Sequence, residues 1–185
     1  MKQNTLLKDI ERILYTEEEI ALAVDRIAKQ ITEDYSGKSP VFICILKGAA
    51  VFFTDLIRRV DLPLSIDFMA ISSYGSSTKT SGVVRILKDL DESVEGKDVI
   101  IVEDIIDTGL TLSYIKNTLL QRKASSIRIA TLLDKPERRK TELEIDYKGL
   151  VIPNEFVVGY GLDYDEKYRN LSSIGVLKPS IYMNE

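Results

Sequence analysis

The sequence predicts an α/β domain whose mostly parallel, twisted sheet is flanked by helices. Three observations point there. Short β-rich runs alternate with stretches of helical periodicity along the whole chain. The run Val41-Phe42-Ile43-Cys44-Ile45-Leu46 is apolar at every position, the pattern of a strand covered on both faces. The 185 residues, 44% of them hydrophobic, suffice for one domain with a sizeable core. With no internal repeat and no interdomain linker, residues 1–185 read as a single domain.

The elements follow in order. Thr16-Glu17-Glu18-Glu19 is a capping box, in which the Thr16 hydroxyl and the Glu19 carboxylate satisfy opposite ends of one helix start. Ile20, Val24, Ile27 and Ile31 then recur at helical spacing and face a core. After the strand Val41 to Leu46, Lys47-Gly48-Ala49 breaks the pattern, and Ala50 to Val60 resumes as a second helix with Phe52, Leu56 and Val60 in register. Further strands are expected over Ser65 to Ile71, Val83 to Leu87, Val99 to Val102, Ser126 to Leu133 and Phe156 to Tyr160. The third helix is expected over Thr111 to Arg122, with Leu112, Ile115 and Leu119 on one face. Two segments read as mobile cover: residues 72–82, nine of whose eleven positions are Ser, Thr or Gly, and Asp134 to Lys148.

Composition removes several chemistries. The chain has no histidine, which excludes Ser-His-Asp triads, HExxH zinc sites and histidine bases. Its one cysteine, Cys44, excludes an intrachain disulfide and a cysteine zinc cluster, and its apolar surroundings make it a small buried hydrophobe. A net charge of −4 argues against broad attraction to nucleic acid or anionic lipid, with Arg138-Arg139-Lys140 the basic run that stands out. No stretch approaches the roughly 20 apolar residues that span a bilayer. The N-terminus lacks a signal-peptide pattern, so a soluble cytoplasmic protein is expected.

The most informative segment is Val99-Ile100-Ile101-Val102-Glu103-Asp104-Ile105-Ile106-Asp107-Thr108-Gly109-Leu110-Thr111. A buried strand leads into two acids and then into a small turn that opens a helix. Such a turn aims backbone N–H groups and the Thr108 and Thr111 hydroxyls at an anion, helped by the helix dipole. The paired acids would repel the same phosphate, so they suit sugar hydroxyls or a divalent cation further off. Phosphate beside polyol and metal is the signature of a phosphorylated sugar.

This run resembles the phosphoribosyl pyrophosphate signature of the type I phosphoribosyltransferases. From about Ile13 to Tyr182 the chain is similar, in motif content and order, to the bacterial hypoxanthine (hypoxanthine-guanine) phosphoribosyltransferases. The resemblance implies the type I fold, with a small hood formed from the N-terminal segment and the C-terminal part, about residues 136–185. It implies transfer of the phosphoribosyl group from phosphoribosyl pyrophosphate to hypoxanthine or guanine, giving IMP or GMP and pyrophosphate, with Mg2+ as cofactor. The alternatives are a xanthine-preferring enzyme and a non-catalytic regulator sensing phosphoribosyl pyrophosphate or a nucleotide.

The family's roles carry over residue by residue. Leu46-Lys47-Gly48-Ala49 matches the pyrophosphate loop, with a cis peptide expected between Leu46 and Lys47, and Arg169 matches the arginine on the diphosphate. Ser72-Ser73-Tyr74-Gly75 matches the flexible catalytic lid. Glu103 and Asp104 match the acids on the ribose hydroxyls and magnesium, while Asp107, Thr108, Gly109, Leu110 and Thr111 match the 5′-phosphate cradle. Asp107 also matches the acid–base residue beside purine N7. On the purine side, Lys135 matches the reader of O6, Phe156 the stacking ring and Val157 the backbone contact, with Ile105 and Leu162 lining the pocket. Asp163, at the same edge, matches the ligand of a second magnesium. The resemblance further implies a homodimer or homotetramer with no nucleic-acid or membrane partner. The same anion subsites could take guanosine tetraphosphate as an inhibitor.

Overall fold

The computed structural model describes residues 4–73 and 84–183. Six strands form the main sheet: β2 (Val41–Leu46), β3 (Ser65–Ser73), β4 (Val84–Lys88), β5 (Asp98–Ile106), β6 (Ser126–Asp134) and β7 (Tyr147–Val151). Their order is β4-β3-β2-β5-β6-β7, parallel throughout except for the antiparallel pair of β3 and β4. A separate three-stranded antiparallel sheet, β1-β9-β8, joins β1 (Ile10–Tyr15) to β8 (Val157–Val158) and β9 (Ile174–Leu177).

Strand order reverses between β2 and β5. The chain goes from β2 to β3 on one side, then crosses to build β5, β6 and β7 on the other. In open α/β sheets the crevice beyond the carboxyl ends at such a reversal is where ligands bind. Here those ends are Lys47-Gly48 after β2 and Asp107-Thr108-Gly109 after β5.

Side-chain alternation along the central strands makes two cores. Phe42, Cys44, Ile100 and Val102 pack with α2 (Glu17–Asp34) and α3 (Ala50–Ile57) through Ile27, Ile31, Phe52 and Leu56. Val41, Ile43, Val99 and Ile101 pack on the opposite face with Leu112, Ile115 and Leu119 of α4 (Leu110–Gln121). The expected periodicities thus face the cores, and the capping box at Thr16 is present with both hydrogen bonds. Short helices α1 (Asn4–Leu7) and α5 (Pro179–Tyr182) sit at the two ends of the described chain.

Several boundaries differ from expectation. The second helix stops at Ile57, three residues before Val60. β5 continues to Ile106, because Glu103, Ile105 and Ile106 stay paired with Thr131, Leu133 and Asp134 of β6; both acids are therefore strand residues. β8 keeps two of the five expected residues, since Gly159 and Leu162 exchange backbone hydrogen bonds at 3.0 Å and turn the chain. Asp134 to Lys148 is anchored rather than loose: Asp134 ends β6, Asp146 accepts from Ile129 N–H at 2.8 Å, and Tyr147 opens β7. Residues 147–151, expected in the hood, extend the main sheet instead. Of the expected strand Val83 to Leu87, Val83 lies outside the described residues.

Candidate active site

The turn after β5 is built to accept an anion. Gly109 is the N-cap of α4, with φ of +79°, and no side chain caps that helix. The first amides of a helix have no partner inside it. Leu110 N–H makes a long contact of 3.4 Å to Thr108 Oγ1, and no N-cap side chain covers the amides behind it, which leaves the turn able to meet an oxyanion. Residues 135–141 brace the turn from behind. Lys135 N–H donates to Ile106 O and Lys140 N–H to Thr108 O, both at 3.0 Å. A Cβ on Gly109 would lie 2.7 Å from Thr141 Oγ1 and 3.0 Å from Arg139 Cδ, so only glycine fits the turn as packed. Glu103, Ile105, Asp107, Thr108 and Thr111 line one concavity here.

Glu103 and Asp104 sit just upstream. Burial, then the neighbouring Asp104 charge, holds the Glu103 carboxyl well above the usual range. Burial also raises Asp104, but hydrogen bonds from Glu103 and the backbone, together with the Arg169 charge, oppose it. Both carboxyls are thus raised by burial, with Asp104 the more offset by its neighbours. Glu103 Oε2 is buried without a hydrogen-bond partner. An orphaned carboxylate oxygen beside a buried negative charge suits a hard cation or a sugar hydroxyl. Among the described residues no three His, Cys, Asp or Glu side chains gather into a metal cage. The acids thus fit a magnesium ion that takes most of its ligands from water and substrate, as that ion commonly does.

The loop after β2 closes on the same acids. The Leu46–Lys47 peptide is cis, as the resemblance implied. A Cβ on Gly48 would lie 1.7 Å from Asp104 Oδ2, so glycine is required for this approach. Arg169 Nη1 donates to Gly161 O at 2.8 Å, and its Nη2 lies 2.9 Å from Asp163 Oδ1. Lys47, Gly48, Asp104, Asp163 and Arg169 thus meet at the β2 side of the crevice.

The remaining residues cluster on the β6 side. Lys135 is half-buried, and burial lowers its pKa against the raising effect of Asp107. Its Nζ donates to Glu155 O at 2.8 Å, the carbonyl just before Phe156. The Phe156 ring, 40% exposed, stacks on Tyr182 with centroids 5.0 Å apart and meets Tyr164 edge-on. Val157 and Leu162 are buried and Ile105 partly so. Ser72 and Ser73 end β3, beside β2; Tyr74 and Gly75, with the rest of the expected lid, lie outside the described residues.

Two residues escaped the sequence reading. Arg138 Nε donates to Asp107 Oδ1 at 2.7 Å, and Glu166 bridges Lys47 and Arg169. In the sequence Arg138-Arg139-Lys140 stands out only as local positive charge on a net negative chain. In the fold Arg138 pairs with Asp107, and Arg139 pairs with the buried Asp134.

A strand-turn-helix turn suited to an anion, a buried acid pair and a facing lysine-glycine loop thus converge at the sheet reversal, the arrangement expected of a phosphoribosyl-transferring enzyme. A family model for the phosphoribosyl transferase domain matches residues 12–165, and the chain belongs to that family. Within it, the chain is 54% identical over 177 residues to the hypoxanthine-guanine phosphoribosyltransferase of Streptococcus thermophilus (strain CNRZ 1066), covering 96% of this chain and 98% of that one. It is 55% identical over 174 residues to the enzyme of the same name from Bacillus subtilis (strain 168), covering 94% and 97%. A crystal structure of a hypoxanthine phosphoribosyltransferase from Staphylococcus aureus superposes with a TM-score of 0.94 at 52% identity, covering 98% of this chain and 99% of that one. The fold is that of the type I phosphoribosyltransferases.

Proposed function

We propose that the chain is a purine-salvage enzyme that moves the 5-phosphoribosyl group from phosphoribosyl pyrophosphate to hypoxanthine or guanine, releasing IMP or GMP and pyrophosphate. The observation that carries this reading is the uncapped turn Asp107–Thr111, set beside the buried acids and across the crevice from Lys47-Gly48. The 5′-phosphate occupies that turn, and the ribose hydroxyls lie against Glu103 and Asp104. The diphosphate faces Lys47, Gly48 and Arg169. Their positive charge stabilises the negative charge that grows on the leaving group as the anomeric bond breaks. Glu103, Asp104 and Asp163 would hold magnesium, which would supply further charge neutralisation to the leaving group.

The base enters between Ile105 and Phe156. Lys135 donates to O6, which favours a 6-oxo group over the 6-amino group of adenine because an ammonium only donates. Val157 and Leu162 border the other purine edge. Asp107 takes or holds the proton at N7, and its Oδ1 is already engaged by Arg138. The small β1-β9-β8 sheet serves as a hood over the base. Cytoplasmic location, assembly into a homodimer or homotetramer, and occupation of the phosphate and diphosphate subsites by guanosine tetraphosphate belong to the same proposal.

The test is pyrophosphate release with phosphoribosyl pyrophosphate and magnesium, offering hypoxanthine, guanine, xanthine and adenine separately. Turnover with the first two and not adenine is expected. Preference for xanthine overturns the substrate, and silence with every base overturns the activity. Asp107→Asn should cut kcat far more than it weakens nucleotide binding; equal losses sink its proton-transfer role.

A further inference from the structure

Glu166 belongs to none of the subsites above, yet its carboxylate spans both cations assigned to the diphosphate. Oε1 accepts from Lys47 Nζ at 3.0 Å and Oε2 from Arg169 Nη2 at 3.3 Å. The two cations come from different parts of the fold, one from the loop after β2 and the other from the segment that leads into β9.

The backbone that presents Glu166 is strained. Asp165, Glu166 and Tyr168 have φ of +51°, +59° and +76°, the left-handed region that residues with a Cβ disfavour. The conformation is held by Glu166 N–H donating to Asp163 Oδ2 at 2.9 Å and by reciprocal backbone hydrogen bonds between Tyr164 and Lys167. Each such residue costs about 1–3 kcal/mol and persists where its surroundings enforce it, commonly at ligand clamps. Exposed ion pairs contribute only ~0–1 kcal/mol. The Lys47 and Glu166 side chains are 68% and 64% exposed, so their pairing does not offset that strain. The tight turn closed by the Tyr164–Lys167 bonds needs positive φ at both central residues, Asp165 and Glu166, and it presents the Glu166 carboxylate to the two cations.

We propose that Glu166 is an internal stand-in for diphosphate: in the empty site it holds Lys47 and Arg169 in position, and incoming diphosphate oxygens displace it. This rests on the reading of Lys47 and Arg169 as the diphosphate-binding cations. Glu166 is then a positioning residue that competes with substrate on entry and with product on release. Its removal frees both cations, so affinity for diphosphate rises and turnover does not.

The experiment is calorimetric titration of inorganic diphosphate, with magnesium, into the whole protein, its Glu166→Gln variant and its Lys47→Ala variant, alongside steady-state kinetics. Glu166→Gln is expected to bind diphosphate roughly 3–10-fold more tightly, the loss of two competing exposed pairs. Its KM for phosphoribosyl pyrophosphate should fall in parallel while kcat stays level or drops. Lys47→Ala is expected to weaken diphosphate binding. Unchanged or weaker diphosphate binding by Glu166→Gln, with Lys47→Ala weakened, overturns the stand-in role alone. Undiminished binding by Lys47→Ala overturns the cation assignment and the stand-in role with it.

Discussion

Replacing Gly109 with alanine separates two costs that the fold imposes on the phosphate turn. Gly109 has φ of +79°, and its missing Cβ would lie 2.7 Å from Thr141 Oγ1 and 3.0 Å from Arg139 Cδ. Gly37, in the turn after α2, has φ of +75° but nothing within 4 Å of its Cβ position. Both alanine variants incur the left-handed penalty of about 1–2 kcal/mol. Gly109→Ala adds the displacement of residues 139–141, an overpacking cost of about 1–3 kcal/mol. Urea unfolding should therefore show Gly109→Ala less stable than Gly37→Ala by ~1–3 kcal/mol at equal m-values. Half of that cost reaching the cradle, about 0.5–1.5 kcal/mol, weakens nucleoside 5′-monophosphate binding roughly 2–13-fold in Gly109→Ala. It stays at the wild-type level in Gly37→Ala. Equal stability losses in the two variants would refute the bracing of the turn by residues 139–141. Undiminished monophosphate affinity in Gly109→Ala would refute the cradle.

Other outcomes follow from single contacts. Thr16→Ala removes the side-chain half of the capping box on α2 and should cost about 1 kcal/mol, a fall in Tm of roughly 2–4 °C with no change in KM. Cys44 is fully buried, and burial followed by the charges of Glu103 and Asp104 pushes its thiol up to about 12. The native protein should not react with a thiol reagent at pH 8, while the urea-unfolded chain shows one reactive thiol; labelling of folded protein would contradict the packing of β2. Lys135→Ala should raise KM for 6-oxopurines about 10-fold or more, the worth of a hydrogen bond to a charged donor, and narrow the discrimination against adenine. Asp134, 2% exposed, is paired with both Arg139 and Lys148, so Arg139→Met leaves one cation in place and should cost less than the ~3–5 kcal/mol of stranding a buried charge; Arg139→Met combined with Lys148→Met should reach that cost by urea unfolding.

Whatever is written in local pattern is legible before the fold is known. The 3.6-residue period and capping box of α2, the continuous apolar run of β2, and the strand-turn-helix sequence from Val99 to Thr111 each involve residues close along the chain, so their physics is readable without the fold. The candidate site residues stand in short ordered motifs that resemble a family's, and their roles remain part of the proposal. Long-range pairing hid the rest. β1 and β9 find each other from opposite ends of the chain and carry register shifts that blur their alternation. β7 becomes a strand because β6 offers it an edge. The contact of Gly48 with Asp104, the Arg138–Asp107 pair, 31 residues apart, and the Lys47–Glu166 pair, 119 apart, exist because the sheet reversal brings separate loops into one crevice. Tertiary structure alone decided which charge meets which, because a side chain's partner depends on the path of the chain between them and not on either residue's neighbours in sequence.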